Sequence, residues 1–232
     1  MKITYLGHAC FTIEAGGVKL LVDPFLKHNP NYCDALWEQA ARPDYILVTH
    51  GHGDHVGDTI EIAARSGATL ISNFEICNWL HAAGVERFID LNPGGTATLA
   101  DGGVTVTMTP AIHSSSMASE GGDNIYGGLA CGFVIRCGAE AVYYAGDTCL
   151  FGDMRLVDEL YKPTVGLLPI GGKYTMDAEA AAYACNNFFN FRTVIPMHYD
   201  TFPPISADPA RFSALVKKGA VRMLALGEAL EI

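Results

Sequence analysis

The sequence predicts an α/β (α+β) chain folded as a four-layer αββα sandwich, with two β-sheets face to face and helices on both outer sides. Three observations carry this. Each half of the chain opens with strand patterns joined by tight turns and continues as strands alternating with helical patterns. That order fits two β-rich sheets better than one wound parallel sheet. Half of the 232 residues are hydrophobic, enough for a sizeable core. No short-period repeat and no Pro/Ser-rich linker divides the chain, so residues 1–232 are expected to form one domain.

In the first half, Lys2–Leu6, Cys10–Glu14 and Val18–Val22 alternate as strands do, with Gly16-Gly17 a compact hairpin turn between the last two. Asp23-Pro24 ends the third strand, because proline cannot donate to a ladder. A loop through Lys27, Asn29 and Pro30 leads to a helical turn around Ala35 to Ala40. Tyr45–Val48 is a short apolar run bounded by turn residues, hence a buried strand. Val56–Arg65 spaces Val56, Ile60, Ala63 and Ala64 at helical intervals. Ala68–Ile71 is a strand, Phe74–Ala83 a helix closed by Gly84, and Arg87–Leu91 another strand.

In the second half, Thr96–Leu99 and Val104–Thr109 form strands joined by an Asp101-Gly102-Gly103 turn. Ser114–Gly128 is small, polar and rich in Ser and Gly, which predicts a mobile loop over a site. Strands follow at Leu129–Cys137, Ala141–Ala145, Thr164–Pro169 and Thr193–Pro196. Helices at Asp153–Tyr161 and Asp177–Phe188 lie between them, the latter capped by Thr175 or Asp177. The tail reads as a helix, Asp208–Lys218, and two short strands, Val221–Leu224 and Glu228–Ile232.

The formal net charge of −10 argues against a nucleic-acid partner, which would favour a basic face. No apolar run approaches membrane-spanning length, and the chain starts as a strand rather than a signal peptide. The seven cysteines include no C-x-x-C pair, and a chain of this size needs no disulfide framework. A reducing, cytoplasmic setting is expected. A small-molecule partner, anionic or neutral, is expected too, and a homo-oligomer stays open.

The chemistry is concentrated in Thr49-His-Gly-His-Gly-Asp-His55, where the apolar run ends. His50, His52, Asp54 and His55 place three imidazoles and a carboxylate within six residues, with Gly51 and Gly53 letting the backbone fold tightly. Neutral imidazole and carboxylate are ligands preferred by zinc and related ions. His8, His113, Asp147 and His198 also stand just past predicted strand ends, where loops gather to build sites. Any one of them alone reads as a hydrogen-bonded structural residue; together with the cluster they do not.

His50-x-His52-x-Asp54-His55 with His113, Asp147 and His198 resembles the metallo-β-lactamase superfamily, over essentially the whole chain and in the family's order. The phrases Gly7-His8-Ala-Cys-Phe11, Asp23-Pro-Phe25, Gly146-Asp-Thr148 and Pro196-Met-His-Tyr199 look like its small bacterial and archaeal metal-dependent hydrolases, a group similar to the L-ascorbate-6-phosphate lactonases. The resemblance implies the metallo-β-lactamase fold and two divalent metal ions. His50, His52 and His113 would hold one ion, Asp54, His55 and His198 the other, and Asp147 would bridge them. Zinc is the first choice, with manganese and iron as alternatives.

The expected reaction is hydrolysis by a hydroxide bridging the two ions, with Asp54 orienting it, on a small cyclic ester (a lactone). Two rivals stand beside this reading: a phosphodiesterase on the same metals, and a non-catalytic metal- or ligand-binding protein. His8, Asp23, Lys173 and Tyr199 are candidates for substrate contact or for orienting the ligands; Asp23 would orient a metal-bound imidazole or else form the turn before Pro24. Ser114, Ser115 and Ser116 lack a base partner and read as a polar loop, and Cys149 reads as a buried apolar residue. Within the superfamily, the acidic composition disfavours RNA-processing members and His52 disfavours the flavodiiron pattern, which has Glu there. The short stretch after His198 disfavours a glyoxalase-type hydrolase. The absence of a signal peptide, together with Asp147, disfavours a secreted β-lactamase.

Overall fold

The computed structural model describes all residues of the chain except Ala100, Gly102 and Glu120. The expected Asp101–Gly103 turn contains Gly102 and so lies in part outside the described residues. Strands β1 (Lys2–Gly7), β2 (Cys10–Ala15) and β3 (Val18–Val22) form an antiparallel meander. Strands β4 (Tyr45–Leu47), β5 (Thr69–Asn73) and β6 (Phe88–Leu91) add to it in parallel, and β16 (Ala229–Glu231) closes the other edge beside β1.

The second sheet repeats the plan. Strands β7 (Thr96–Leu99), β8 (Val104–Pro110), β11 (Cys131–Cys137) and β12 (Glu140–Tyr144) pair antiparallel. Strands β13 (Val165–Pro169), β14 (Thr193–Met197) and β15 (Ala220–Val221) then extend it in parallel. The layers follow from a two-residue alternation within continuous apolar runs. Leu20 and Val22 face the other sheet while Leu21 faces outward; Val142 and Tyr144 face inward while Tyr143 faces outward. Sheets buried on both faces need such runs.

The inter-sheet core joins Phe11, Ile13 and Leu47 to Met108, Phe133 and Leu167. Outside the first sheet lie α1 (Asp34–Ala40), α3 (Thr59–Ser66) and α4 (Phe74–Ala82), which bury Trp37, Ile62 and Leu80 against it. Outside the second lie α5 (Met154–Tyr161), α6 (Ala178–Asn187) and α7 (Pro209–Leu215), contributing Met154, Cys185 and Phe212. Each such fully buried apolar side chain stabilises the fold by about 1.5–3 kcal/mol. No described helix is long and apolar enough to cross a membrane.

Four local expectations are corrected. The helix expected at Val56–Arg65 is two pieces, α2 (Gly53–Val56) and α3, because Gly57 takes φ +42° and Asp58 turns its carboxylate to the Leu26 and Lys27 N–H groups. Ser114–Gly128 is not an open loop: β9 (Ser116–Ala118) and β10 (Asn124–Tyr126) pair within it. Ser115 Oγ donates to the Gly127 carbonyl at 2.8 Å, Asn73 Nδ2 does so as well, and Met117 is buried under the first sheet. The helix expected to reach Lys218 ends at Leu215, where Val216 turns extended and the Lys217 N–H is taken by Asn186 Oδ1. The strand expected at Val221–Leu224 pairs only over Ala220–Val221.

Candidate metal centre

The pairing pattern sets the direction of the strands that carry the candidate residues. In the first sheet β1, β3 and β4 run the same way, and in the second β8, β12 and β14 do so. Their C-terminal ends therefore release His8, Asp23 and His50–His55 at one edge, and His113, Asp147 and His198 at the facing edge. His50 and His52 lie on the loop after β4; Asp54 and His55 lie in α2, for which His52 is the N-cap. Neither Gly51 nor Gly53 adopts a positive φ. Gly51 is needed for space, since a Cβ there would fall 2.8–2.9 Å from Met117 and Ser116.

The predicted ligand atoms converge. Those of His50, His52 and His113 lie within 4.8 Å of one another, as do those of His8, Asp54, His55 and His198. His50, His55 and Asp147 form a third such set that joins the two. Asp147 Oδ2 is 3.0 Å from His198 Nε2, 3.5 Å from His55 Nε2 and 3.6 Å from His113 Nε2. His50 Nε2 and His52 Nδ1 are 3.0 Å apart.

Tautomers follow from the partners. Thr49 Oγ1 donates its one proton to Asp23 Oδ2 at 2.7 Å, so the His50 Nδ1–H donates to Thr49 Oγ1 and leaves Nε2 with a free lone pair. His55 Nδ1–H donates to Asp23 Oδ2 at 2.7 Å and likewise frees Nε2. Four buried atoms at the centre have no aligned hydrogen-bond partner among the described residues: His55 Nε2, Asp147 Oδ1 and both nitrogens of His198. Buried polar atoms are rarely left so. Cations among them would satisfy His55 Nε2, His198 Nε2 and Asp147, so the residues present fit a metal-binding role.

Charge agrees. Burial holds His50, His52 and His113 below the ordinary imidazole range, so these three are neutral donors. Burial alone would raise the Asp147 carboxyl, but the adjoining His55 and His198 hold it well below its usual value. Burial is likewise outweighed at Asp54, where His198 and His8 keep the carboxylate ionised. In the metal-free state His55 is driven up against its burial by Asp147 and Asp23. Burial pushes His8 down to about 4.

A cavity of about 350 Å³ opens on the centre, lined by His52, Asp54, His113, Ser114, Asp147, Tyr174 and His198. Asp23 lies behind His55, fully buried, where it also accepts from Tyr144 Oη and the Thr49 N–H. Lys173 and Tyr199 are not brought to the wall. Lys173 is exposed with Nζ 5.4 Å above the Tyr174 ring, and Tyr199 packs against the outer core of the second sheet. Cys149 is exposed rather than buried, because it leaves the strand end one residue beyond Thr148. Tyr174, Tyr144, Thr49 and Thr201 were missed by the sequence reading; Thr49 adjoins His50, but nothing local marks the other three.

An αββα sandwich with this His/Asp constellation at one edge defines a metal-dependent hydrolase of the metallo-β-lactamase fold. Residues 19–199 match the β-lactamase superfamily domain. A UPF0173 metal-dependent hydrolase of Chelativorans sp. is 48% identical over 215 residues, 91% of either chain. Another from Methanopyrus kandleri is 46% identical over 218 residues, 94% of this chain and 92% of that one. Among solved structures, the metallo hydrolase Igni18 of Ignicoccus hospitalis superposes with a TM-score of 0.87 at 40% identity, covering 100% of this chain and 98% of its own. The chain belongs to the β-lactamase superfamily, among its metal-dependent hydrolases.

Proposed function

We propose that the chain is a cytoplasmic two-metal hydrolase of a small cyclic ester, a lactone. His50, His52 and His113 would hold one divalent ion and Asp54, His55 and His198 the other, with Asp147 between them; zinc suits the donor set, and manganese or iron are the alternatives. One observation carries the two-metal reading: Asp147 Oδ2 lies within 3.6 Å of imidazoles of both donor sets, His113 of the one and His55 and His198 of the other. Two ions held there would supply Lewis acidity and a hydroxide nucleophile at neutral pH.

The chain's own residues supply the rest. Asp23 and Thr49 orient the His55 and His50 rings through their far nitrogens. Asp54 and Asp147 both line the cavity, but the Asp54 side chain is the open one, 31% exposed against 3% for Asp147, and it is the group available to orient the nucleophile and later take a proton. Ser114 and Tyr174 offer neutral hydroxyl donors at the wall. Among the described lining residues there is no lysine or arginine. A phosphodiester would rely on the metals alone for its charge, which favours the carboxylic ester over the phosphodiesterase reading.

The test is an assay of the purified protein, reconstituted with zinc, manganese or iron, against paired lactone and bis-aryl phosphate substrates, with metal counted by elemental analysis. Two metal equivalents and preferential lactone turnover are expected. Turnover of the phosphate alone would overturn the lactone choice, and one equivalent in the active protein would overturn the two-metal reading.

A further inference from the structure

His8 fits two roles at the centre. It belongs to the set with Asp54, His55 and His198 and could offer a ring nitrogen to a metal. Its Nε2 lies 3.1 Å from Asp54 Oδ2, while Nδ1 lies 2.9 Å from Thr201 Oγ1. Ionised Asp54 only accepts, so the Asp54 contact requires a proton on Nε2. In the neutral ring Nδ1 is then an acceptor, and Thr201 Oγ1–H is the donor that meets it at 2.9 Å, in preference to the Tyr199 carbonyl at 3.4 Å. Nε2 has no lone pair left for an ion.

The surroundings hold this arrangement. The His8 ring is 1% exposed, with Phe25 and Phe202 edge-on at 5.5 and 5.7 Å and His198 at 4.1 Å between centroids. His8 and His198 both take left-handed backbone conformations, φ +56° and +55°, and the His198 N–H donates to the His8 carbonyl at 2.8 Å. Left-handed non-glycine residues persist where the surroundings over-determine them, and they gather at functional sites. Thr201 follows β14 of the second sheet, whereas Asp54 follows β4 of the first.

We propose that His8 is a positioning residue: Thr201 Oγ1–H donates to His8 Nδ1, and His8 Nε2–H donates to Asp54 Oδ2, so that the second sheet fixes the rotamer of the catalytic carboxylate on the first. This rests on the two-metal reading for its consequence, since the oxygen His8 holds, Asp54 Oδ2, is also the one 3.7 Å from His198 Nε2 and 3.8 Å from His55 Nε2, so the bond sets where the carboxylate stands among the donors of the second ion. His8 lies before the stretch matched by the family domain, residues 19–199. Orienting partners of this kind are worth about 10–100-fold in metal affinity.

The experiment has two arms on the full chain. In ¹⁵N-labelled protein, metal-free and zinc-loaded, long-range ¹H–¹⁵N spectra read the tautomer of His8, assigned by its loss in His8→Gln. The Nε2–H form is expected in both states, with Thr201→Val weakening the preference and Thr201→Ser keeping it. A His8 protonated at Nδ1, or coordinating zinc, overturns the proposal. The second arm measures zinc affinity for each equivalent by chelator competition, with melting curves confirming that each variant is folded. Gln places an amide N–H near the Nε2 position but cannot ligate, so His8→Gln is expected within threefold of the wild type for the second equivalent and His8→Ala about 10–100-fold weaker. Equal losses in both variants identify a ligand, and no loss in His8→Ala leaves no positioning role; either overturns it. If the wild type takes up one equivalent only, the two-metal reading fails, and the tautomer in the metal-free protein still decides the His8–Asp54 bond.

Discussion

Asp23 Oδ2 accepts the His55 Nδ1–H at 2.7 Å, with both side chains fully shielded from solvent. The same carboxylate accepts from Thr49 Oγ1 at 2.7 Å and the Thr49 N–H at 2.8 Å, and shares the one Tyr144 Oη–H, at 2.9 Å, with the Ala9 carbonyl at 2.6 Å. Four donors leave it no freedom, so His55 can turn only Nε2 toward the centre. Asp23→Asn would set an amide among those donors. Zinc affinity is expected to fall about 10–100-fold with a lower melting temperature. Chelator competition and a thermal melt measure both, and undiminished affinity would show that His55 keeps its orientation without Asp23.

Tyr143 and Tyr144 are neighbours on β12 that face opposite layers. Tyr144 Oη reaches Ala9 O at 2.6 Å and Asp23 at 2.9 Å, whereas Tyr143 stacks on Phe189 in the outer core and its buried hydroxyl has no aligned partner. Removing a satisfied hydroxyl strands its acceptors, while removing an unsatisfied one strands nothing. Tyr144→Phe should cost about 1–3 kcal/mol in urea denaturation and weaken zinc binding, and Tyr143→Phe should be near neutral. Equal costs for the two would refute the assignment.

Gly57 separates α2 from α3 at φ +42°, and a Cβ there would lie 2.3 Å from the Pro24 carbonyl oxygen. Gly53 is helical with open space around it. Gly57→Ala is expected to cost about 2–4 kcal/mol from backbone strain and overpacking together. Gly53→Ala should be neutral or stabilising by up to about 1 kcal/mol. Chemical denaturation of the two variants side by side tests the contrast.

The two-sheet plan was legible because each half announces its antiparallel strands by turns and its parallel ones by alternating helices. The metal-ligand candidates were legible because a strand end followed by His, Asp and Gly has few other uses. What escaped was decided between sheets. Nothing near Tyr144 in sequence marks its bond to Asp23, 121 positions away. The hairpin in Ser114–Gly128 is held by Asn73 of β5, so its composition alone resembled an open loop. Lys173 was one of four candidates for substrate contact or ligand orientation, and it is its neighbour Tyr174 that lines the cavity.

The metal-free protein carries a pH signature. Burial would lower His198, but the Asp147 carboxylate beside it wins and raises the imidazole from 6.5 to about 9, and His55 moves the same way. A raised folded-state pKa gives stability that is complete below about pH 6.5 and is lost as pH rises through about 9. His8, lowered to about 4, acts only on the acid side of pH 6.5. The melting temperature of chelated protein should therefore fall between about pH 6.5 and 9. Zinc needs deprotonated imidazoles, so its added stabilisation should grow over the same window. A chelated protein whose melting temperature is flat or rising there would contradict the ion-pair account.

Asp54 is the sharpest test of chemistry against architecture. It lies in the four-residue helix α2, contributes no apolar burial, and among the described residues its side chain meets polar partners within the centre, His8 at 3.1 Å and the His198 and His55 imidazoles at 3.7 and 3.8 Å. Asp54→Asn keeps size and shape while removing the charge that would hold the second ion and take up a proton. Turnover is expected to fall about 10²–10⁴-fold, the range of a lost general base. The melting temperature of the metal-free protein should stay within a few degrees of the parent, because few native contacts are lost. Zinc affinity at the His50, His52 and His113 set should be preserved, since Asp54 is not among those donors. Parallel measurement of turnover, melting and metal content separates the roles: near-normal turnover would remove Asp54 from the mechanism, and a collapsed melting temperature would make it structural.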